Sequence, residues 1–218
     1  QTTGVRLSMS DFFSTPTVAG LAALIAGGNA DSDAIPRIPD APSYPASHAQ
    51  ARLYLASRME GSETAYNITF ALPFAGRLDL DALRSALAQL LARHETLRTG
   101  FIEEDGNIRQ RIAPKLDITL ALDDLSACAD APAEALRLAR REATTAFDLA
   151  CPPLLRARAI CLGKPENWLV MLVLHHIVGD GWSSRLLLQE LAHLYRAYKE
   201  GIAPALPALP IAYRDFAA

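Results

Sequence analysis

Two adjacent histidines, His175 and His176, end an apolar run, and Asp180 follows four residues after the second histidine. An imidazole near neutral pH acts as a general base, a hydrogen-bond donor or a metal ligand. Gly181 and Trp182 come next and lead into a region that reads as a new helix. The stretch therefore has the residue types for a metal site, a catalytic base or a pair of structural histidines.

The spacing of the two histidines argues against a metal site. Adjacent side chains of a strand point to opposite faces, so His175 and His176 cannot both reach one ion. The i, i+4 histidine pair of a helical zinc site is absent, and no cysteine or glutamate lies nearby in the sequence. We therefore expect no bound metal.

A catalytic and a structural interpretation of the histidines both remain open. Structural histidines would be hydrogen-bonded inside a core or a loop. The position at a strand end favours catalysis, because loops at the ends of sheet strands commonly carry sites. The residues alone do not separate these two interpretations.

Asp180 and Ser183 also have alternatives. Asp180 could orient an imidazole, but the short turn leaves it little slack to reach back to His176, so an ion pair with a distant arginine is expected. Ser183 lies in no Gly-x-Ser-x-Gly elbow. A reaction at this place would therefore use a nucleophile that belongs to the substrate, without a covalent enzyme intermediate.

The elements that must position these residues alternate irregularly between helix and strand. Leucines at helical spacing over 79–99 predict an amphipathic helix, and Asp105-Gly106 predicts the turn of a hairpin over 100–113. Further helices are predicted over 47–59, 131–147 and 183–201, and strands over 65–76, 117–125, 152–163 and 168–178. This order predicts an α+β fold with a mixed β-sheet covered by helices.

The composition excludes several classes of partner. The formal net charge of the 218 residues is -3, without long runs of one sign, so neither nucleic acid nor a membrane surface is an expected partner. The longest apolar stretch is too short to span a bilayer. The three cysteines, Cys128, Cys151 and Cys161, form no CxxC pair. We therefore expect a cytoplasmic protein whose cysteines are core or near-surface thiols.

The N-terminal part reads as a separate segment. A short helix is predicted before Gly27, with Thr15 or Thr17 as its cap, and a linker rich in proline and aspartate follows over 28–44. Because such a short helix is not stable alone, it should pack on something else.

The histidine stretch is one of five motifs that occur in this order: SHAQARLYL, RHETLRTGF, FDLACPPLLRARAI, HHIVGDGWS and YRDFAA. Together they resemble the condensation domains of nonribosomal peptide synthetases, which are related to chloramphenicol acetyltransferase. The N-terminal stretch GVRLSMSDFFSTPTVAGLAALI resembles the last helices of a peptidyl carrier protein, whose phosphopantetheine serine motif is missing here. The resemblance implies a carrier remnant over 1–27, a linker over 28–44, and an incomplete N-terminal, donor-side lobe over 45–218.

The resemblance also implies a function. Such a domain is an acyltransferase that forms a peptide bond between thioesters held on carrier domains, and the lobe alone is expected to be inactive. Its partners would be upstream and downstream carrier domains, the C-terminal lobe and an adenylation domain. Phosphopantetheine would be carried by those partners, with no cofactor bound directly. The alternatives are a non-catalytic docking lobe and a related acyltransferase of the same superfamily.

The resemblance assigns a role to each residue of the histidine motif. His176 is expected to be catalytic and His175 structural. Asp180 is expected to form an ion pair with Arg98 or, as a second choice, with Arg156. Gly181 would permit close approach of substrate or of the pantetheine arm. The remaining two positions, Trp182 and Ser183, are possible substrate contacts, and their order is that of condensation rather than epimerization domains.

Overall fold

The computed structural model describes residues 9–27 and 35–218. The chain divides into two compact units, Gln1–Pro36 and Arg37–Ala218. The described helices are α1 (Met9–Ser14), α2 (Val18–Gly27), α3 (His48–Ala56), α4 (Leu80–Arg93), α5 (Ala131–Ala143), α6 (Gly181–Lys199) and α7 (Tyr213–Ala217). The strands are β1 (Tyr44–Pro45), β2 (Asn67–Ala75), β3 (Thr99–Glu104), β4 (Asn107–Ile112), β5 (Leu120–Asp124), β6 (Leu155–Cys161) and β7 (Asn167–His175).

The described part of the first unit is helical. The sequence predicts one short helix here, and the structure has two, α1 and α2. Thr17 caps α2, because its hydroxyl accepts the backbone N–H of Gly20 at 3.1 Å. The first part of the predicted linker, residues 28–34, lies outside the described residues.

The second unit is built on a four-stranded mixed sheet in the order β2-β7-β6-β5. The β5–β6 pair is parallel and the other two pairs are antiparallel. The predicted α+β class with a mixed sheet is therefore confirmed.

Helices cover both faces of this sheet. Alternate residues of β7 enter two different cores because side-chain direction alternates along a strand. Leu172 and Leu174 pack into the larger core with α4 and α6, whereas Met171 packs against α5 on the other face. His175 follows Met171 at a spacing of four residues, so it belongs to the α5 face.

A second, three-stranded antiparallel sheet has the order β1-β4-β3. Its β3–β4 hairpin turns at Asp105 and Gly106, whose φ angles are 50° and 75°. This pair of positive φ values is what an Asp-Gly hairpin turn requires, as the sequence predicts. The two-residue strand β1 was not predicted, since it follows a proline-rich stretch with no strand pattern of its own.

No helix in the described ranges combines the length and the apolar character that a membrane crossing needs.

Candidate active site

The strand β7 ends at His175, and a 3₁₀ turn begins at His176. The side chain of His175 is buried, with 1 % of the residue exposed, whereas His176 is exposed. The two imidazoles therefore occupy different environments although they are adjacent in sequence. They do not converge on one point, as strand geometry predicts.

His175 is enclosed by aromatic rings. Its ring centroid lies 6.1 Å from that of Tyr66 and 6.2 Å from that of Phe147. Its Nδ1 atom accepts the backbone N–H of Ile177 at 3.1 Å. Burial, and secondarily the neighbouring His176, lower the pKa of His175 to about 4. The ring is therefore neutral near pH 7, with its proton on Nε2 because Nδ1 accepts a hydrogen bond.

His176 is fixed through its backbone while its side chain stays available. Its N–H donates to the carbonyl of Tyr66 at 2.8 Å, and its carbonyl accepts the N–H of Gly179 at 3.4 Å. Within 9–27 and 35–218, the imidazole of His176 has no hydrogen-bond partner. This arrangement leaves both ring nitrogens free for an incoming substrate.

The imidazole of His176 lines a cleft of about 900 Å³. The lining of the cleft is largely apolar and also includes charged side chains. The basic residues along the cleft are Arg37, Arg52, Arg93, His94 and Arg214, and the acidic ones are Glu95, Asp180 and Asp215. A volume of this size lies within the range of small-molecule sites in proteins.

Asp180 does not form the predicted ion pair. Instead it is the N-cap of α6: its carboxylate accepts the N–H of Ser183 at 2.8 Å, and the Ser183 hydroxyl accepts the N–H of Asp180 at 2.7 Å. Hydrogen bonds from Ser183 hold the pKa of Asp180 below its usual range. In the described part of the chain neither Arg98 nor Arg156 contacts Asp180, so the predicted pairing is wrong. The carboxylate has its hydrogen-bond donors within the local cap, so it needs no distant arginine as a partner.

Arg98 and Arg156 each have other partners. Arg98 is buried and donates to the carbonyls of Leu91 at 2.9 Å and of Ala113, so it ties the end of α4 to the segment after β4. Arg156 forms an ion pair with Glu142 at 3.2 Å, on the α5 face of the sheet. Both arginines therefore support the scaffold away from Asp180.

The three residues after Asp180 differ from one another. Trp182 is 84 % exposed and lines the cleft, so it does not pack into the core. The Ser183 hydroxyl donates to the Asp180 carboxylate at 2.7 Å, so its proton is already used in the N-cap hydrogen bonds of α6. A Cβ added at Gly181 meets nothing within 4 Å, whereas one added at Gly179 meets a methyl carbon of Leu174 at 3.0 Å. The space beside Gly181 is therefore open among the described residues, and the approach of substrate or of the pantetheine arm at this position stays a prediction.

The condensation-domain family profile matches residues 41–218. The chain belongs to the condensation-domain family. It is 39 % identical over 214 residues to tyrocidine synthase 3 of Brevibacillus parabrevis, covering 98 % of this chain and 3 % of the relative. It is also 38 % identical over 220 residues to phosphinothricin tripeptide synthetase PhsB of Streptomyces viridochromogenes, covering 97 % of this chain and 18 % of the relative.

Solved condensation domains share the fold. The starter condensation domain of rhizomide synthetase superposes with a TM-score of 0.72 at 29 % identity, over 78 % of this chain and 43 % of that chain. The first condensation domain of the calcium-dependent antibiotic synthetase, in complex with a substrate analogue, gives 0.71 at 28 % identity, again over 78 % and 43 %. The chain thus spans less than half of these solved domains and a small fraction of the synthetases.

Two buried acidic side chains of this condensation-domain chain, Glu190 and Asp215, were not predicted as site residues. Glu190 of α6 is buried and accepts from Arg93 at 3.1 Å and contacts His94 Nε2 at 2.6 Å. Asp215 accepts the backbone N–H groups of Ile38 at 3.1 Å and of Ala212. The signal for Glu190 is its place on the leucine stripe of α6, and that for Asp215 is the YRDFAA motif.

Within the described ranges, no group of three or more histidine, cysteine, aspartate or glutamate side chains could hold a metal ion. Cys128 and Cys151 are exposed, and Cys161 is buried. A hydrogen bond with Asp148 raises the pKa of Cys151, which disfavours the thiolate that a nucleophile needs.

Proposed function

We propose that this chain supplies the catalytic histidine of a domain that joins a carrier-bound acyl thioester to a carrier-bound amine. The amine nitrogen attacks the thioester carbonyl, a C–N bond forms and the C–S bond breaks. The amide remains on the acceptor carrier, and the proton released by the amine goes to the departing thiolate. The observation that carries the proposal is the exposed His176 imidazole, free of hydrogen-bond partners among the described residues, beside a cleft of about 900 Å³.

Two roles for His176 are chemically open in this step. The imidazole either takes the proton from the attacking amine, or positions the amine and donates a hydrogen bond to the tetrahedral oxyanion. An α-ammonium group has a reference pKa near 8, so much of the amine is accessible without a strong base. The fixed neutral ring of His175 supports either role, because it holds the turn from which His176 projects.

The same proposal names the partners. Donor and acceptor would arrive on the phosphopantetheine arms of carrier domains, and the arginines along the cleft suit the anionic phosphodiester of such an arm. An adenylation domain would load the carriers, and the C-terminal lobe would complete the cleft. Residues 1–27 as a carrier remnant, 28–44 as a linker and a cytoplasmic location belong to this proposal.

The test is product formation by the domain completed with its C-terminal lobe and supplied with two loaded carriers. We expect a dipeptidyl product on the acceptor carrier and a free thiol on the donor carrier, both measured by mass spectrometry. Acylation of a small amine but not of a carrier-bound amine would favour the related acyltransferase instead.

The 218-residue chain alone is the matching control. Because it spans 43 % of the solved neighbours, we expect it to form no product from the same carriers. If it binds both carriers and the completed domain also forms no product, the chain is a docking lobe without catalysis.

A further inference from the structure

Arg156 lies on the same face of the sheet as His175. Arg156 of β6 pairs with Val173 of β7, and His175 stands two residues beyond Val173. Because paired residues of antiparallel strands point the same way and direction repeats every second residue, both side chains face α5. Arg156 is therefore placed where it can restrict the position of the His175 side chain.

The ring of Phe147 connects Arg156 to His175. The central guanidinium carbon of Arg156 lies 3.7 Å from the Phe147 ring centroid, a close cation–π stack. Phe147 in turn meets His175 edge to face, with centroids 6.2 Å apart and an interplanar angle of 80°. The side chains of Arg156, Phe147 and His175 thus contact one another in series and form one continuous stack.

The guanidinium of Arg156 has little freedom to move. It donates to the Glu142 carboxylate at 3.2 Å and to the Glu142 carbonyl at 3.0 Å. It also donates to the carbonyls of Thr145 at 2.8 Å and Ala146 at 3.4 Å. These acceptors lie at the end of α5 and in the turn after it, so Arg156 fixes the segment that carries Phe147. A lysine could supply the charge but not this fork of donors.

The other end of the stack reaches the catalytic turn. His175 accepts the N–H of Ile177 at 3.1 Å, and Ile177 is the central residue of the turn that begins at His176. The orientation of the His175 ring therefore sets the direction in which the turn leaves the strand. A rotation of that ring would break the hydrogen bond and release the turn.

We propose that Arg156, acting through Phe147 and His175, is a positioning residue for the catalytic imidazole of His176. The proposal rests on the proposed function of His176. Arg156 does not contact the substrate cleft, since it is not among the cleft-lining residues. Its effect is to keep His175 in one tautomer and one orientation.

Arg158 provides a matched control on the same strand. It also binds the Glu142 carboxylate, at 2.5 and 3.1 Å, and it pairs with Asp123. Among the described residues it stacks on no aromatic ring. An Arg158→Lys change therefore disturbs the same acid and the same face without touching the stack.

The experiment has two measurements on Arg156→Lys, Phe147→Leu and Arg158→Lys. In the 218-residue chain, imidazole ¹⁵N NMR reports the tautomer and titration of His175. In the completed domain, kcat and KM are measured with loaded carriers. We expect Arg156→Lys and Phe147→Leu to mix the tautomers of His175 and to lower kcat roughly tenfold or more with KM little changed. Arg158→Lys should change neither quantity.

Two outcomes overturn the proposal. One is an unchanged His175 tautomer or an unchanged kcat in both Arg156→Lys and Phe147→Leu. The other is an equal change in Arg158→Lys, which would make the effect a general one of the α5 face. If His176→Ala retains the parent rate, the proposed function of His176 fails, and that result is independent of the NMR comparison.

Discussion

The carboxylate of Asp180 accepts the backbone N–H of Ser183 at 2.8 Å, and the Ser183 hydroxyl accepts the N–H of Asp180 at 2.7 Å. This reciprocal pair begins α6 directly after the histidine turn. It satisfies two of the backbone donors that a helix start leaves without partners. Asp180 therefore holds the turn by a local cap and not by a charge pair across the fold.

Replacing Asp180 should cost the free energy of one helix cap. We expect Asp180→Ala to lower the free energy of unfolding by about 1 kcal/mol, because the backbone N–H of Ser183 loses its acceptor. Asp180→Ser keeps an acceptor and should stay close to the parent. Chemical denaturation measures both, and a loss of several kcal/mol in Asp180→Ala would instead indicate a stranded buried arginine.

His175 should make the fold less stable as the pH falls. Its pKa is about 4 when folded and near 6.5 when unfolded, so the unfolded chain binds the extra proton first. The free energy of unfolding is therefore unaffected by this titration above about pH 6.5. It falls by up to about 3 kcal/mol as the pH decreases to about 4.

The comparison that isolates this effect is His175→Asn. An asparagine oxygen can accept the N–H two residues later, so the hydrogen bond to Ile177 is retained without the titration. From pH 7 to pH 4 the unfolding free energy of the parent should fall relative to that of the variant by up to about 3 kcal/mol. Parallel curves over this range would show that His175 does not titrate with a lowered pKa.

The buried acid Glu190 should be important for stability. We expect Glu190→Gln to lower the free energy of unfolding by about 3 kcal/mol, because Arg93 loses its charge partner in a buried place. Glu134→Gln is the control, since Glu134 pairs with Arg137 on the exposed side of α5 and such pairs contribute little. Equal losses in the two variants would contradict the account of the Glu190 cluster.

The parts of the fold that the sequence predicts are those with a local signal. The apolar run before His175 predicts β7, although the predicted range of 168–178 extends three residues beyond the observed end at His175, and Asp105-Gly106 predicts the hairpin turn. The different environments of His175 and His176 are expected from the two-residue period of a strand, and the turn that begins at His176 keeps them apart. These features depend on residues close together in the chain.

The missing parts depend on contacts between distant residues. The sequence cannot show that Glu190 meets His94, because the two residues come from different helical segments that only the fold brings together. The ion pair expected for Asp180 was wrong although a local signal was present. Asp180 precedes Ser183 by three residues at a helix start, which is the spacing of a reciprocal cap.

The rate of the completed domain after His176→Ala tests the central claim most directly. The matched control is His193→Ala, which removes an exposed histidine of α6 that does not line the cleft. With donor and acceptor carriers loaded, we predict that His176→Ala slows product formation about a hundredfold or more, while its melting temperature and the rate of His193→Ala stay near the parent values. A parental rate in His176→Ala, or a loss of rate matched by a loss of fold, would contradict the assignment of His176 as the catalytic residue.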